Sequence, residues 1–273
     1  MENKQTKGGG EMLHYWRKNG VLLLLALLFF AGLILISFSM ERGMYLVFLC
    51  LLVIYSRSPK HRFVALIFFT FLGSFFLFQL TNQLLADRFD LSEEQRILCN
   101  RSLLILIIAG LYILHLFYKQ KVSFFQQKPE WNHRIVLPFH STSVFHFLLL
   151  GLIINGVIFA SLIIQQEFSY LQSVVVFGLL FSIINSVFEE VIWRGIVLSS
   201  LQKRTSLFYA VTVTSIGFGL MHLSIGFSFS ASLLFSFAGL AYAFIVWNTK
   251  SIYPAILFHF IINMGMVLSG WVL

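Results

Sequence analysis

Three short polar patterns interrupt otherwise apolar stretches in the last hundred residues of the chain. A carboxylate beside a histidine can activate a water molecule, and a second histidine with an amide can donate hydrogen bonds to an oxyanion. These are the groups that hydrolysis of a peptide bond needs. The patterns are FEEVIWRG, with Glu189, Glu190 and Arg194; FGLMH, from Phe218 to His222; and HFIIN, with His259 and Asn263.

Spacing within these patterns predicts which side chains act together. His259 and Asn263 are four residues apart, so both project from one helix face. Glu190 and Arg194 have the same spacing in the favourable acid-first order, so they can neutralise each other. Glu189 lies about 100° around the helix from its neighbour. We therefore expect Glu189 to be the freer carboxylate and the better candidate for proton transfer.

Composition places these polar groups inside a membrane. The chain has 273 residues, of which 58% are hydrophobic and 11% are charged. A soluble domain holds about 45–50% apolar and about 25% charged residues. Lipid must therefore cover the excess apolar surface. Cys50 and Cys99 are far apart and favour neither a disulfide framework nor a zinc knot.

The apolar segments predict an all-α fold, a polytopic transmembrane bundle of eight or nine helices. A helix crosses a bilayer with roughly 20 apolar residues. The second segment is short, and counting it decides between eight and nine. The segments lie near 20–39, 43–56, 63–86, 102–118, 144–164, 171–200, 206–223, 230–248 and 252–272.

The net charge of +8 could suggest a nucleic-acid partner, but its distribution argues against one. With nine helices, every basic cluster falls on one side, which the positive-inside rule assigns to the cytoplasm. The N-terminus is then cytoplasmic, and the acidic loop 87–94 and Glu167 fall on the opposite side. The clusters are Lys4, Lys7, Arg17 and Lys18; Arg57, Lys60 and Arg62; Lys119, Lys121, Lys128 and Arg134; Lys203 and Arg204; and Lys250.

Depth along the helices favours a shared site. At a rise of 1.5 Å per residue, Glu189 and His222 lie roughly 21 and 26 Å from the turn between their helices. His259 and Asn263 lie roughly 14 and 20 Å from the turn before the last helix. If the two turns share one side, the four groups converge in one layer of the membrane. The depths favour the outer half, but they leave open the side to which the site opens.

The chain is predicted to have two parts. Residues 1–143 comprise N-terminal transmembrane helices and a mixed interfacial linker, 119–143, and carry no motif that indicates chemistry. Residues 144–273 form a helix bundle that contains all three polar patterns. Two adjacent glutamates inside an apolar helix are unfavourable in lipid unless they have partners or a function.

The three patterns resemble those of the CAAX protease and bacteriocin-processing (CPBP or Abi) family of intramembrane peptidases. That family has EExxxR, FxxxH and HxxxN in this order on successive helices, and the chain matches all three without substitution. The resemblance covers about residues 171–270. It implies that Glu189 and His222 activate water and that His259 and Asn263 form the oxyanion site. It also implies that Glu190 and Arg194 hold the site together, with Phe218 as motif support.

The resemblance implies an intramembrane endopeptidase in a multi-pass cell membrane protein, acting on a small peptide or a membrane-associated substrate in the lipid bilayer. We expect a glutamate-type site without a cofactor. A zinc site formed by Glu189, His222 and His259 is the alternative, although HExxH is absent. A non-catalytic membrane scaffold or bacteriocin self-immunity protein is the alternative function. A transporter is less favoured because broken helices and internal repeats are not evident. The cleavage sequence, prenylation of the substrate and oligomeric state remain open.

Overall fold

The computed structural model describes residues 5–137 and 140–272, with side chains for 20–135 and 141–272. It is 80% helical. A π-helical segment, Val191–Leu198, joins α7 to α8, and 3-10 turns lie at Pro59–His61 and His222–Ile225. The α-helices are α1 (Gln5–Ser37), α2 (Glu41–Arg57), α3 (Arg62–Arg88), α4 (Glu93–Ser102), α5 (Ile105–Phe117), α6 (Val144–Ile163), α7 (Phe168–Glu190), α8 (Ser199–Gln202), α9 (Leu207–Met221), α10 (Phe229–Thr249) and α11 (Tyr253–Leu268).

These helices form nine rods within the described residues, because α4 continues into α5 and α7 continues into α8. Seven are long and apolar enough to cross a membrane. The helix α11 is apolar but shorter, and α2 has 17 residues. The predicted all-α polytopic bundle is confirmed, and the chain is a multi-pass membrane protein.

The fourth rod begins earlier than the sequence analysis predicted. It was expected from residue 102, but the spanning helix runs over Glu93–Phe117. Its start is a capping box, in which the Ser92 hydroxyl accepts from the Gln95 N–H and the Gln95 side chain accepts from the Ser92 N–H. Such a box satisfies two of the free N–H groups at a helix N-terminus. The polar first turns of α4 therefore belong to the helix.

The basic loops lie together at one end of the bundle. The Lys203 ammonium donates to the carbonyl of Lys121, and the Arg204 guanidinium donates to Gln120 at 2.7 Å. At the same end, the N–H of Ile252 donates to the carbonyl of Phe125 at 2.9 Å. The turns after the sixth and eighth predicted helices therefore share one side, as the depth argument required.

The linker between the two predicted parts contains a hairpin that the sequence analysis did not predict. Strand β1 (Arg134–Leu137) pairs antiparallel with β2 (His140–Ser143), with Arg134 opposite Ser143 and Ile135 opposite Thr142. Ser143 also accepts a hydrogen bond from the N–H of His146 and so caps α6. The hairpin leads directly into the first helix of the C-terminal part.

Aromatic side chains join the N-terminal helices to the motif-bearing helices. The ring of Phe29 stacks on Phe68 at 4.5 Å, and Phe71 lies 4.9 Å from Trp193. Trp193 in turn contacts Phe218 edge to face at 6.4 Å. One continuous core thus extends from α1 and α3 to the motif segments. The division after residue 143 stays a prediction, because helices on both sides of it share this core.

Helices α9 and α10 approach each other closely at Gly219. A Cβ atom added there would collide with the carbonyl oxygen of Ser232 and the hydroxyl of Ser236. Small residues permit such contacts between membrane helices. We expect Gly219→Ala to lower the apparent melting temperature of the detergent-solubilised protein, because forced overpacking is destabilising by about 1–3 kcal/mol.

Gly156→Ala is the matched control for this substitution. Gly156 lies on α6, and an added Cβ atom there meets nothing within 4 Å. Alanine favours a helix over glycine by about 1 kcal/mol, so this variant should melt at the wild-type temperature or above. Equal melting temperatures for the two variants would contradict the close contact between α9 and α10.

Candidate active site

The two glutamates lie at the last two positions of α7, where the helix changes to π-helical geometry. Both side chains are 0% exposed. The segment Val191–Leu198 continues with Arg194, which is also fully buried. Short π-helical stretches often occur at functional sites, where the wider turn redirects side chains. The local backbone thus directs three charged groups into the protein rather than toward lipid.

Glu190 and Arg194 form the predicted ion pair within the helix. The Nη1 atom of Arg194 donates to Glu190 Oε1 at 2.9 Å, and Nη2 donates to the carbonyl of Gly239 at 2.6 Å. The guanidinium also lies 4.8 Å from the ring centre of Phe218 and 5.1 Å from that of Tyr242. Arg194 therefore ties α7 to α9 and α10.

His259 on α11 lies between the two carboxylates. Its Nδ1–H donates to Glu190 Oε1 at 3.0 Å, whereas its Nε2 is 3.7 Å from Glu189 Oε2. A neutral ring that donates from Nδ1 has only an acceptor at Nε2. His259 can therefore donate from Nε2 to an oxyanion only as the doubly protonated ring.

Arg101 on α4 reaches the site from the N-terminal part, and the sequence analysis missed it. Its Nη1 atom donates to Glu189 Oε1 at 3.3 Å and to Asn185 Oδ1 at 3.3 Å. The expectation that Glu189 would be the freer carboxylate is thus wrong in one respect, since each glutamate has its own guanidinium partner. The capping-box pattern that begins at Ser92 could have indicated this residue, because a helix that starts there includes Arg101.

His222 follows α9 at the start of a 3-10 turn. Its Nδ1–H donates to the carbonyl of Phe218 at 2.9 Å, which leaves Nε2 available to accept a proton. The ring stacks on Phe235 at 4.1 Å and lies 5.1 Å from the Phe218 ring. Phe218 also lies 5.9 Å from the His259 ring. The FxxxH phenylalanine thus packs against both motif histidines.

A cavity of about 490 Å³ lies against these groups. His222, His259, Asn263 and Arg101 line it. The side-chain Nδ2 of Asn263 is buried and finds no hydrogen-bond partner among the described residues. An unpaired amide donor at a cavity wall is available to a bound molecule. Ligand pockets typically have volumes of about 300–1,000 Å³, so the cavity can hold a short peptide segment.

A second, much smaller cavity lies beside Glu189. It has a volume of about 10 Å³ and is lined in part by Glu189, Arg101 and His222. Arg101 and His222 line both cavities, so the two are adjacent. A single water needs about 10–15 Å³ of such space and two to four polar partners. The volume of the small cavity is at the lower limit for one water, and Glu189, Arg101 and His222 supply polar groups in its lining.

The zinc alternative required Glu189, His222 and His259 to act as joint ligands. No group of three or more His, Cys, Asp or Glu residues in the described part of the chain is arranged to hold a metal ion. Glu189 Oε1 also accepts from the Arg101 guanidinium, whose positive charge opposes binding of a cation at that carboxylate. Glu189, His222 and His259 are therefore not placed together as zinc ligands in the described part of the chain.

Comparison with known proteins identifies the segment that contains these residues. Residues 171–265 match the sequence model of the family described as Type II CAAX prenyl endopeptidase Rce1-like. The chain is also 30% identical over 104 residues to a Bacillus subtilis (strain 168) protein named "Putative membrane peptidase YdiL". That similarity covers 38% of this chain and 41% of the relative. No solved structure matches the chain significantly.

The family match contains all three motifs and excludes the N-terminal helices. Glu189, His222 and Asn263 all fall within residues 171–265, whereas Arg101 lies outside them. The roles predicted for the individual motif residues are not tested by this match. Residues 171–265 are thus similar to the Rce1-like family, and the predicted resemblance to the CAAX protease and bacteriocin-processing family is confirmed for this segment.

Proposed function

We propose that this protein is an intramembrane endopeptidase that hydrolyses a peptide bond with a water molecule activated by Glu189 and His222. The arrangement of the two cavities carries the proposal. Glu189 and His222 both line a space for one water, next to a peptide-sized cavity lined by His259 and Asn263. The name of the Bacillus subtilis relative agrees with this class of activity.

The two oxygens of Glu189 have different surroundings, which suits a general base. Oε1 accepts from Arg101, whereas Oε2 has no hydrogen-bond partner among the described residues. Oε2 is therefore the oxygen that can take a proton from water as the water attacks the scissile carbonyl carbon. The free Nε2 of His222 holds the same water from another side.

The oxyanion that forms on the substrate needs donors at the wall of the larger cavity. Nδ2 of Asn263 and Nε2 of doubly protonated His259 are the donors that we assign to it. When the tetrahedral intermediate collapses, the carbon–nitrogen bond breaks. The proton taken up by Glu189 passes to the leaving amine, which restores the carboxylate. Glu190 and Arg194 act indirectly, because Glu190 fixes the orientation of the His259 ring.

The proposed site works without a metal ion, and the proposed location is the cell membrane. Arg101 and Arg194 place two guanidiniums against the two carboxylates, so the negative charge is already compensated by the protein. A small or membrane-associated peptide is the proposed substrate. Nucleic acid is not a proposed partner.

Cleavage by the purified protein in detergent tests both the reaction and its metal independence. We expect mass spectrometry of a diverse peptide mixture to detect new ends, with one ¹⁸O in each new carboxyl group when the reaction runs in H₂¹⁸O. A zinc chelator should leave the rate unchanged within about twofold. The control is Glu167→Gln, since Glu167 is exposed at a helix end and lines neither cavity.

Two results would reject parts of this proposal. Loss of activity in chelator that returns with added zinc would establish the metal alternative and overturn the metal-free site. If no peptide is cut and a bacteriocin-resistance phenotype survives Glu189→Gln, the protein is a scaffold or self-immunity protein instead.

A further inference from the structure

The rim of the larger cavity comes from one end of the bundle. It is formed by the loop and helix ends around Ala86 and Leu91, by the turn with Ile225 and Phe227, and by Trp271 after α11. These segments follow α3, α9 and α11, which all end on the same side. Ala86, Ile225 and Trp271 are exposed, so the cavity reaches the surface here.

The opposite end of the bundle is covered by the linker. The N–H of Glu130 donates to the carbonyl of Thr249 at 2.9 Å, and Gln126 bridges to Ser251. The hydrogen bond from Arg204 to Gln120 fixes the start of the linker against the turn between α8 and α9 at this end. Within the described residues, the cavity is lined by no part of 118–143, 203–206 or 249–253.

Charge distinguishes the two ends. Most of the 19 lysine and arginine residues belong to the loops at the linker-covered end. The rim end instead has four acids, Asp87, Asp90, Glu93 and Glu94, against two arginines, Arg88 and Arg96, around the connection from α3 to α4, and it also has Glu167 before α7. Short cytoplasmic loops are enriched in lysine and arginine, so the linker-covered end is cytoplasmic. The rim then lies on the non-cytoplasmic side.

We propose that the active-site cavity opens to the non-cytoplasmic side of the membrane and receives an apolar peptide segment from that side. The rim supports the choice of an apolar segment, because Leu91, Ile225, Phe227 and Trp271 line the cavity there, with Arg96 as the charged side chain beside them. A substrate held at the cytoplasmic face would meet the linker and not the cavity. The cleavage step rests on the function proposed above, whereas the direction of access does not.

Native cysteines allow a test that needs no substrate. Cys99 lines the cavity, and Cys50 on α2 does not. In Cys50→Ser, we expect a membrane-impermeant sulfonated maleimide to label Cys99 in intact cells at least about tenfold faster than in sealed inside-out vesicles. Thiol labelling depends on exposure to water, so it reports the side from which the cavity is reached. Cys50→Ser/Cys99→Ser gives the background.

Two further variants make the result decisive. Lys128→Cys in the cysteine-free background lies exposed in the linker and should label only in inside-out vesicles. Ala86→Cys in the same background lies exposed at the rim and should label only in intact cells. The proposal is overturned if Cys99 and Ala86→Cys are labelled only in inside-out vesicles. It is also overturned if neither of them is labelled in intact cells.

A cleavage measurement separates this proposal from the proposed function. Impermeant apolar peptides should be cut by right-side-out vesicles at least about tenfold faster than by sealed inside-out vesicles. Outside labelling of Cys99 without any cleavage, together with a bacteriocin-resistance phenotype that survives Glu189→Gln, would retain the direction of access and reject the peptidase. Cleavage restricted to inside-out vesicles would retain the peptidase and reject the direction.

Discussion

Glu189→Gln is expected to abolish peptide hydrolysis while the protein stays folded. The substitution preserves the size of the side chain but removes the carboxylate oxygen that takes the proton from water. General-base catalysis typically contributes about 10²–10⁴-fold to the rate, so kcat should fall by at least about 10²-fold. The measurement is kcat for a peptide identified in the cleavage assay, with apparent melting temperature and monodispersity in detergent as the folding readout.

Glu190→Gln is the informative comparison, because it alters the neighbouring carboxylate. Glu190 accepts hydrogen bonds from Arg194 and His259 and does not line the small cavity. Glu190→Gln should therefore disturb the oxyanion side of the site and also lower the melting temperature. Glu167→Gln, at an exposed position, should change neither activity nor melting temperature. A folded Glu189→Gln protein that keeps wild-type turnover would reject Glu189 as the base.

Arg101→Gln is expected to reduce kcat by about 10–100-fold with a smaller effect on KM. Arg101 holds Glu189 Oε1 and Asn185 together, so its removal lets the base move away from the water position. A displacement of about 1 Å at a catalytic group can reduce the rate by about 10²-fold. Arg101→Lys retains the positive charge and should recover part of the lost activity, which distinguishes positioning of the base from general destabilisation.

Stability offers a second measurement for Arg101 that does not need a substrate. Removing one partner of a buried ion pair leaves an uncompensated charge, which is destabilising by about 3–5 kcal/mol. Arg101→Gln should therefore melt below Arg101→Gln/Glu189→Gln, in which neither charge remains. Arg88→Gln, at the exposed end of α3, is the matched arginine control and should match the wild type. If the double variant melts no higher than Arg101→Gln, the two side chains are not coupled.

Local patterns in the sequence were sufficient to predict the motif helices and the Glu190–Arg194 pair. Four-residue spacing puts two side chains on one helix face whatever surrounds the helix. Long apolar runs likewise predicted a membrane bundle, because a spanning helix must satisfy its own backbone hydrogen bonds. The basic loops predicted which turns share one end, and the contact of Lys203 with Lys121 agrees with that prediction.

Helix boundaries were less certain where polar residues occur inside a spanning helix. The fourth rod was predicted from residue 102 because Glu93, Glu94 and Arg96 precede the apolar run. Those side chains lie at the exposed end of the helix, where water still solvates them. The capping box at Ser92 was a stronger local signal than hydropathy, and it would have placed Arg101 inside the helix.

The sequence by itself determined the membrane class, the three motifs and the alternation of charged loops, because these depend on local composition and spacing. Only the tertiary structure decided that Arg101 pairs with Glu189, that His259 lies between two carboxylates, and that the cavity meets the surface at one end. Lipid is as apolar as a protein core, so an apolar helix face does not reveal whether it meets lipid or another helix. Neighbouring helices, and with them the partners of buried charges, are therefore set by packing between distant segments.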